Sequence, residues 1–286
     1  MAFQAALSVD VEDWFHILDS AATPALHEWE RLESRVAHNM EPLLELFEQS
    51  GVMVTLFWLG WIAERHKGLL RRCVQAGHEI ASHGYAHLLA YQVGPRKFYE
   101  DIRRARLLLE DLTGARVLGF RAPGFGITER APWAFGEIRR AGYMYDSSVF
   151  PAARGHGGLV NGRLEPHWMN TPAGPLAELP ISVVQLAGQR ICLFGGGYLR
   201  AAPLPLIRWG VRQLQREARP LIVYIHPRDT DPHQPRLALP LRRRVKCYAN
   251  LCSTLPKLRW MTRTIECITM SNLAHLHLAA PDTCLL

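Results

Sequence analysis

Two histidines four residues apart, His83 and His87, are the residues whose type and spacing most directly suggest chemistry. An i, i+4 pair places both imidazoles on one face of a helical turn, where they can share a metal ion. The pair follows a short apolar run, so we expect it where a strand ends and a helix begins. Parallel α/β folds build their sites at that end of the strands. The spacing alone is weak evidence, because such pairs are more often surface residues.

An acidic cluster near the start of the chain supplies the carboxylate that such a metal site needs. The apolar, β-branched run over residues 5–12 predicts a buried first strand whose tip carries Asp10, Glu12 and Asp13. Asp10 and Glu12 point to one face of an extended tip. Neighbouring carboxylates repel each other unless a cation or an arginine lies close. We expect Asp10 and Glu12 to be functional, whereas Asp13 taken alone fits a cap of the next segment.

Two further predicted strands also end on polar residues. Residues 118–123 contain an Arg-X-Pro tip, where Arg121 can pair with a carboxylate and keep it ionised. Residues 220–227 are an apolar run that ends on His226, a group suited to general acid chemistry near neutral pH. Each residue alone has an ordinary structural explanation. Four polar strand ends in one chain together predict a metal-dependent hydrolytic site.

These motifs occur in the order of the polysaccharide deacetylase family, carbohydrate esterase family four, which the sequence resembles over nearly its whole length. The shared motifs are Asp10, Ser82-His83-X3-His87, Arg121-X-Pro123 and Tyr224-X-His226-Pro227. Further segments resemble the exosortase-associated (PEP-CTERM locus) branch, which has a C-terminal extension. Those segments are residues 9–15, 57–66, 77–87, 145–148, 195–198 and 231–236.

The resemblance implies a role for each of these residues. Asp10 matches the catalytic base, Arg121 the residue that pairs with the base, and His226 the general acid. His83 and His87 match the two metal-binding histidines of a site for a divalent metal, expected here to be Zn²⁺. Two imidazoles and one carboxylate are a usual ligand set for a hydrolytic zinc.

The first motif departs from the common family pattern, which has two adjacent aspartates with the second as metal ligand. Val11 stands in that second place here. Some branches carry an Asp-X-acidic version, which makes Glu12 the expected third ligand, with Asp13 as the alternative. The fourth motif lacks the usual tryptophan of the groove wall. The predicted substrate-binding residues are Pro123, Tyr145 and Tyr198.

The implied function is a metal-dependent N-deacetylase that removes acetyl groups from N-acetylated amino sugars of a polysaccharide, an exopolysaccharide or its precursor. Asp10 would take a proton from the attacking water and His226 would protonate the departing amine. Two alternatives stay open. One is a hydrolase of another amide, such as a formamido sugar or a cyclic ureide, and the other is a non-catalytic glycan-binding module on the same fold.

Strand and helix patterns alternate along the chain, which predicts a parallel α/β barrel. From residue 151 to residue 180 the composition turns to Gly, Pro and polar residues, which predicts a long irregular insertion beside the site. The expected helices cover residues 31–49, 61–75, 96–112, 131–141 and 204–217. The expected strands cover residues 5–12, 52–59, 118–121, 143–149, 181–186, 191–194 and 220–225, with a further unit that begins at Ile80.

The resemblance specifies a distorted (β/α) barrel of about seven repeats. We expect a catalytic barrel over residues 1–230, with the irregular insertion at about 151–200, and a C-terminal extension over residues 231–286 that packs on the barrel. The chain has 286 residues, of which 48% are hydrophobic, and this is enough for one barrel-sized core.

Cysteine usage and hydropathy predict a cytoplasmic protein. The six cysteines show no CxxC spacing and are expected to be reduced thiols. We expect no transmembrane segment, because no apolar run reaches the length of a membrane span. We also expect no signal peptide before the first strand.

Basic residues are concentrated in the region from Arg200 to Arg263, which holds fourteen Lys or Arg against three acidic residues. Its net charge of +11 exceeds the +7 of the whole chain. A solvated basic face, an anionic or lipid-linked glycan substrate, and a peripheral contact with an anionic membrane surface all fit this pattern. Nucleic acid is not expected, because no nucleic-acid motif accompanies the charge.

Overall fold

Buried strands and amphipathic helices alternate in the structure. The computed structural model describes residues 3–154 and 157–278. Its strands are β1 (Gln4–Val11), β2 (Thr55–Trp58), β3 (Glu79–Ser82), β4 (Gly119–Phe120), β5 (Tyr145–Asp146), β6 (His167–Thr171), β7 (Gly174–Glu178), β8 (Val184–Leu186), β9 (Gln189–Ile191), β10 (Leu221–Ile225) and β11 (Glu266–Ile268). Its helices are α1 (Val36–Ser50), α2 (Gly60–Arg65), α3 (Lys67–Gln75), α4 (Ala90–Val93), α5 (Pro95–Thr113), α6 (Ala134–Arg140), α7 (Gly196–Ala201), α8 (Leu204–Arg216), α9 (Leu241–Tyr248), α10 (Thr254–Thr264) and α11 (Met270–His277).

Seven neighbouring strands of the described chain run parallel in the order β10-β1-β2-β3-β4-β5-β7. Ser8 of β1 lies opposite Tyr224 of β10 on one side and opposite Thr55 of β2 on the other. Parallel strands bring their carboxyl ends to a single edge of the sheet, which is where such folds place their sites. The predicted α/β class with a parallel sheet is confirmed.

Ser182 links the two ends of this strand order. It follows β7, and its Oγ atom accepts a hydrogen bond from the backbone N–H of Ile222 in β10 at 2.8 Å. The same hydroxyl donates to the carbonyl oxygen of Pro220 at 3.0 Å. These bonds draw the segment after β7 toward β10, so the sheet curves into the distorted barrel that the resemblance implies.

Alternate residues of the strands pack in two different cores, because side chains along a strand point to opposite faces. Leu7 and Val9 of β1 join the larger core between the sheet and the helices. Ala6 joins a smaller core inside the barrel, together with Phe57 of β2 and Ile222 of β10. The inner face therefore leads from apolar residues inside the barrel to the strand tips.

One helix prediction differs from the structure, and another agrees with it closely. The expected helix over residues 61–75 is two helices, α2 and α3, because His66 between them has φ −119° and ψ 44°, outside the helical range. Helix α5 matches its prediction within a residue and ends at Gly114, whose φ of 69° is the left-handed conformation common just after a helix.

The expected irregular segment over residues 151–180 contains a β-hairpin, so that expectation is wrong for residues 167–178. Strands β6 and β7 pair antiparallel, and β7 also extends the main sheet parallel to β5. The Gly and Pro content is explained by the turn between the strands, where Pro172 precedes Gly174 with φ 110°. Composition alone cannot separate such a turn from an irregular loop.

The C-terminal part of the described chain is integrated with the barrel. Strand β11 pairs parallel with Gln4, Ala5 and Ala6 of β1, and Thr262 of α10 is hydrogen-bonded to Ser50 of α1 at 3.0 Å. The boundary expected at residue 230 stays a prediction. No helix within residues 3–154 and 157–278 is both long enough and apolar enough to cross a membrane.

Candidate functional site

Glu12, His83 and His87 converge at the carboxyl edge of the sheet. The Oε1 atom of Glu12 lies 3.0 Å from Nε2 of His83 and 2.8 Å from Nε2 of His87. All three side chains are buried, and their candidate ligand atoms lie within 4.8 Å of one another. One carboxylate oxygen and two imidazole nitrogens thus point at a common centre, which is the donor set predicted for a divalent metal.

The two histidines do not lie on a helical turn, which corrects the sequence-based explanation of their spacing. Strand β3 ends at Ser82 and α4 begins only at Ala90, and His87 has a left-handed φ of 54°. The carboxylate of Asp101 in α5 holds the loop by accepting the backbone N–H of Tyr85 at 2.8 Å and that of Ala86 at 3.0 Å. The imidazoles therefore converge because an anchored loop turns back on itself.

The hydrogen bonding of His83 defines which of its nitrogens faces the centre. Its Nδ1 atom lies 2.8 Å from the carbonyl oxygen of Arg121. A carbonyl oxygen only accepts, so Nδ1 donates to it, and Nε2 is the nitrogen directed at Glu12. The carbonyl contact thus orients the ring so that Nε2 is placed to serve as a metal ligand beside Glu12. The donor set therefore fits a divalent metal.

The second oxygen of Glu12 accepts a hydrogen bond from the guanidinium of Arg228. Burial of the Glu12 carboxyl raises its pKa, but the charges of His87 and Arg228 outweigh burial and hold that pKa well below the ordinary value. Glu12 is therefore a carboxylate over the whole neutral range. The two carboxylate oxygens of Glu12 have different neighbours: one faces the histidines and the other faces Arg228.

Asp13, the alternative ligand, is hydrogen-bonded elsewhere. Its carboxylate accepts the hydroxyl of Ser34 at 2.5 Å, the backbone N–H of Arg35 at 3.1 Å and that of Trp14 at 2.9 Å. These contacts fix the start of the segment that leads into α1. The arrangement agrees with the capping interpretation of Asp13 and leaves Glu12 as the carboxylate beside the histidines.

Arg121 is fully buried and holds Asp10. Its Nη1 atom donates to Oδ1 of Asp10 and to Oγ of Ser8, both at 2.7 Å. Its Nε and Nη2 atoms donate to the backbone carbonyl and the hydroxyl of Ser147 at 3.2 and 3.1 Å. The guanidinium also lies 4.1 Å from the ring centroid of Phe57. All three nitrogen atoms of the guanidinium donate hydrogen bonds, so Arg121 fixes the orientation of Asp10. The other carboxylate oxygen of Asp10, Oδ2, faces outward.

His226 lies on the other side of Asp10. Its Nε2 atom is 4.0 Å from Oδ2 of Asp10, and its Nδ1 atom donates to Oδ2 of Asp229 at 3.0 Å. The other oxygen of Asp229 accepts from the buried guanidinium of Arg200. Burial raises the pKa of Asp229, but the charges of Arg200 and His226 outweigh burial and lower it. Asp229 is therefore an ionised partner that orients the imidazole.

The three predicted substrate-binding residues have different positions. Tyr145 is buried inside the barrel, where its hydroxyl donates to Glu79 at the opposite end of the strands, so the substrate-contact prediction for Tyr145 is corrected. Pro123 is buried and begins the turn that presents Gly124 and Phe125 to the site. Tyr198 is half-buried and accepts a hydrogen bond from Lys246 at 3.1 Å.

Sequence reasoning missed the charged partners of the site, Arg228, Asp229 and Arg200. Arg228 and Asp229 follow His226 within three residues, and this proximity is the signal that was available. The pairing of Arg200 with Asp229 had no such signal, because it depends on how α7 packs against the turn after β10.

His16 is a further residue that sequence reasoning missed. Its Nδ1 atom accepts the backbone N–H of Asp13 at 2.9 Å, so the proton of the neutral ring is on Nε2. Burial and the nearby charge of His87 hold the His16 pKa well below its ordinary value. Within the described part of the chain, Nε2 has no hydrogen-bond partner. The available signal was its position four residues after Glu12.

A pocket of about 380 Å³ opens onto these residues. Its wall includes Asp10, Glu12, His87 and His226, together with His16. A volume of this size is that of an ordinary small-ligand site. Asp10, Glu12, His87 and His226 therefore face one space that can hold a sugar-sized group.

Two family models match this chain. Residues 33–145 match the polysaccharide deacetylase family, and residues 147–275 match a family described as a domain of unknown function, DUF3473. The first match contains His83, His87 and Arg121, and the second contains His226. The structure brings the residues of both segments to one site with Asp10 and Glu12.

Two curated relatives are similar to part of this chain. The peptidoglycan deacetylase-like protein FGM2 of Gibberella zeae is 31% identical over 37% of this chain and 31% of its own length. The peptidoglycan deacetylase of Helicobacter pylori is 29% identical over 37% of this chain and 36% of its own length. The chain thus matches about a third of each relative.

The similarity to solved structures extends over the whole fold. A protein from Mycobacterium smegmatis classed as a polysaccharide deacetylase has a TM-score of 0.66 at 18% identity, covering 98% of this chain and 94% of that one. A Puue allantoinase has a TM-score of 0.63 at 19% identity, covering 98% and 92%. At such identities the similarity concerns the fold.

Proposed function

We propose that this chain, of which residues 33–145 match the polysaccharide deacetylase family, hydrolyses the acetamide of N-acetylated amino sugars in a polysaccharide or its precursor. The observation that carries this proposal is the convergence of a Glu-His-His donor set with Asp10 and His226 in one pocket. An exopolysaccharide is the proposed natural context.

Glu12, His83 and His87 are the residues proposed to hold the metal, and zinc is proposed from the mixture of imidazole and carboxylate donors. A divalent metal bound there supplies Lewis-acid chemistry, which polarises a carbonyl and acidifies water. Arg228 keeps the second oxygen of Glu12 occupied, so only one oxygen of that carboxylate is directed at the metal centre.

Asp10 is the proposed general base. Arg121 binds Oδ1, so Oδ2 is the oxygen free to take a proton from the water that attacks the acetamide carbon. The same ion pair fixes the orientation of the Asp10 carboxyl group. Arg121 is thus a positioning residue that acts through Asp10.

His226 is the proposed general acid. Amide nitrogen leaves poorly unless it is protonated, so the reaction requires a group that gives a proton to the departing nitrogen. Asp229 accepts from Nδ1 and stabilises the imidazolium, so Nε2 is the atom that faces the reacting group and releases its proton. One water is consumed, one proton passes to Asp10 and one leaves His226, and the products are acetate and the free amine.

The fold leaves open which amide is hydrolysed, because an allantoinase has a similar fold. The test is to incubate the protein with N-acetylated and N-formylated oligosaccharides and with a cyclic ureide, and to measure acetate, formate and free amine. Each assay is repeated after chelation and after zinc is restored. Release of acetate that is lost on chelation and regained with zinc is the expected result. Absence of turnover on every substrate with one metal bound per chain would contradict the proposal.

A further inference from the structure

We propose that the pocket contains an anion-binding subsite formed by Arg154, Arg242 and Lys246, and that the N-acylated sugar bound there carries a phosphate or carboxylate group. The inference rests on the proposed function, because it names the class of sugar that the hydrolytic residues act on. Its basis is the pairing of charges around the pocket.

The acidic residues of the pocket wall each have a cationic partner. Asp10 is paired with Arg121 and Glu12 with Arg228. Asp229 is paired with Arg200, and a carboxylate oxygen of Asp19 lies 3.9 Å from Arg243.

Three other cations of the pocket wall, Arg154, Arg242 and Lys246, have no carboxylate partner within residues 3–154 and 157–278. An excess of positive charge in a concave, partly desolvated wall attracts an anionic ligand.

Of these three cations, Arg154 is the one whose hydrogen-bond donors are least satisfied. Its Nε and Nη1 atoms are buried and have no hydrogen-bond partner in the described part of the chain. Its guanidinium carbon lies 4.9 Å from the ring centroid of Phe125 and 4.7 Å from that of Phe150. The two rings hold the guanidinium in place but accept no conventional hydrogen bond. Buried N–H groups left unpaired are unfavourable, and a phosphate or carboxylate oxygen would pair with them.

Helix α9 supplies the other two cations and is held firmly beside the pocket. Arg200 donates to the carbonyl oxygens of Lys246 and Cys247 at 2.6 and 3.0 Å, and Arg243 donates to the carbonyl oxygens of Leu18 and Asp19. These bonds fix α9 near its start, through Arg243, and near its end, through the carbonyl groups of Lys246 and Cys247. Within residues 3–154 and 157–278, the hydroxyl of Tyr198 is the one hydrogen-bond partner of the Lys246 ammonium, so two of its three donors are available to a ligand.

A soluble sugar phosphate and a lipid-linked sugar phosphate share this chemistry, and α9 gives a reason to distinguish them. Leu241 and Val245 lie four residues apart on α9 and are 75% and 58% exposed. Exposed apolar residues on a basic helix also favour a membrane surface. The experiment therefore needs an arm with vesicles.

The first arm measures binding without turnover. Glucosamine 6-phosphate, glucosaminuronic acid and glucosamine are titrated calorimetrically into the wild-type chain and into Arg154→Gln, Lys246→Gln and Arg212→Gln. Arg212 is an exposed arginine of α8 outside the pocket, so it controls for net charge. We expect the two anionic sugars to bind at least about tenfold more tightly than glucosamine, and Arg154→Gln and Lys246→Gln to remove most of that difference. Arg212→Gln should leave it unchanged.

The second arm compares deacetylation of N-acetylglucosamine oligosaccharides with and without a phosphate group. We expect Arg154→Gln to raise KM for the phosphorylated substrate about tenfold more than KM for the neutral substrate, and Arg212→Gln to leave both near the wild-type values. Thermal unfolding of each variant confirms that it is folded, and Arg154→Lys should recover part of the loss because it restores the charge. Equal kinetics on both substrates, with equal binding of all three sugars, would overturn the inference and leave the proposed function intact.

The third arm uses vesicles of neutral lipid, neutral lipid with anionic lipid, and neutral lipid with a lipid-linked sugar phosphate. Binding only to the lipid-linked sugar, weakened by Arg154→Gln, would assign the subsite to a lipid-linked substrate. Binding to every anionic vesicle, unaffected by Arg154→Gln and without sugar discrimination in the first arm, would assign the basic charge to membrane attachment and overturn the subsite. Absence of deacetylase activity together with selective binding of the anionic sugars would contradict the proposed reaction while the subsite stands.

Discussion

Nε2 of His226 and Oδ2 of Asp10 face each other at 4.0 Å in a single pocket. This separation is too long for a direct hydrogen bond and short enough for both atoms to contact one reacting group. The opposite side of each side chain is held, Asp10 by Arg121 and His226 by Asp229. The proposed base and the proposed acid are therefore oriented separately and meet at one place, which leads to the predictions that follow.

The first prediction concerns the metal. His83→Ala and Glu12→Gln should each lose most of the bound metal, because each removes one of three converging donors, whereas elemental analysis of the wild type should give about one equivalent per chain. His38→Ala, at an exposed position of α1, is the matched histidine control and should keep its metal. Asp13→Asn should also keep it. Full metal content in Glu12→Gln with loss in Asp13→Asn would instead make Asp13 the ligand.

The second prediction concerns Arg121. Arg121→Lys keeps a positive charge but cannot bind Asp10, Ser8 and Ser147 at once, so we expect turnover to fall about a hundredfold or more while metal content stays near normal. Turnover and metal content are measured on the same preparations. Loss of metal with turnover per bound metal unchanged would show that Arg121 supports the metal residues instead of Asp10.

The third prediction separates the base from the acid. His226→Ala should be more active on activated esters or anilides than on acetamido sugars, because those leaving groups need little protonation. Asp10→Asn should be poor on all of these substrates, because water is activated in every case. Removing one such group typically costs on the order of a hundred- to ten-thousand-fold. If His226→Ala lost the same factor on both substrate types, we would reassign this histidine to substrate binding.

The fourth prediction concerns Asp229 as the partner of His226. Asp229→Asn should lower kcat, because an amide no longer stabilises the imidazolium, and it should also destabilise the fold by leaving buried Arg200 unpaired, at about 3–5 kcal/mol. The double variant Arg200→Met with Asp229→Asn removes the unpaired charge. It should recover part of the thermal stability without recovering kcat; recovery is partial because Arg200→Met also removes the bonds from Arg200 to the carbonyl oxygens of Lys246 and Cys247. Joint recovery of both would mean that Asp229 has only a structural role.

The fifth prediction concerns stability and pH. Glu178 and Asp146 are a fully buried carboxyl pair; burial and the charge of Asp146 raise the pKa of Glu178 well above its ordinary value, and burial raises the pKa of Asp146 to about 6. A raised folded-state pKa means that the native chain retains a proton that the unfolded chain has released. Stability should therefore fall as pH rises through the folded-state value of Glu178.

Glu178→Gln keeps a neutral hydrogen-bonding group and removes this titration. Its melting temperature should fall less than that of the wild type between pH 6 and pH 9, with about 1.4 kcal/mol at stake for each unit of pKa shift. Glu45→Gln, at an exposed position of α1, should follow the wild type. Parallel curves for the wild type and Glu178→Gln would show that the pKa of Glu178 is not raised in the folded chain.

The sequence was sufficient to predict which residues face the inside of the barrel. Residues two apart on a strand share a face, so the run that ends on Asp10 and Glu12 and the run that ends on His226 each specify an inward side chain at a strand tip. Parallel strands then bring those tips to one edge. This local periodicity is why the α/β class and the candidate residues could be proposed without coordinates.

Tertiary packing determined how those residues are paired. Arg121 reaches Asp10 across 111 positions of sequence, and Arg228 reaches Glu12 across 216, because strand order and loop return bring them together. The spacing of His83 and His87 predicted that the two side chains converge on one centre, but it did not predict the loop that brings them together. That loop is held in place by Asp101, fourteen residues after His87. Periodicity along one strand or helix is a local property of the chain, whereas a hydrogen-bond partner is chosen by whatever the completed fold places within reach.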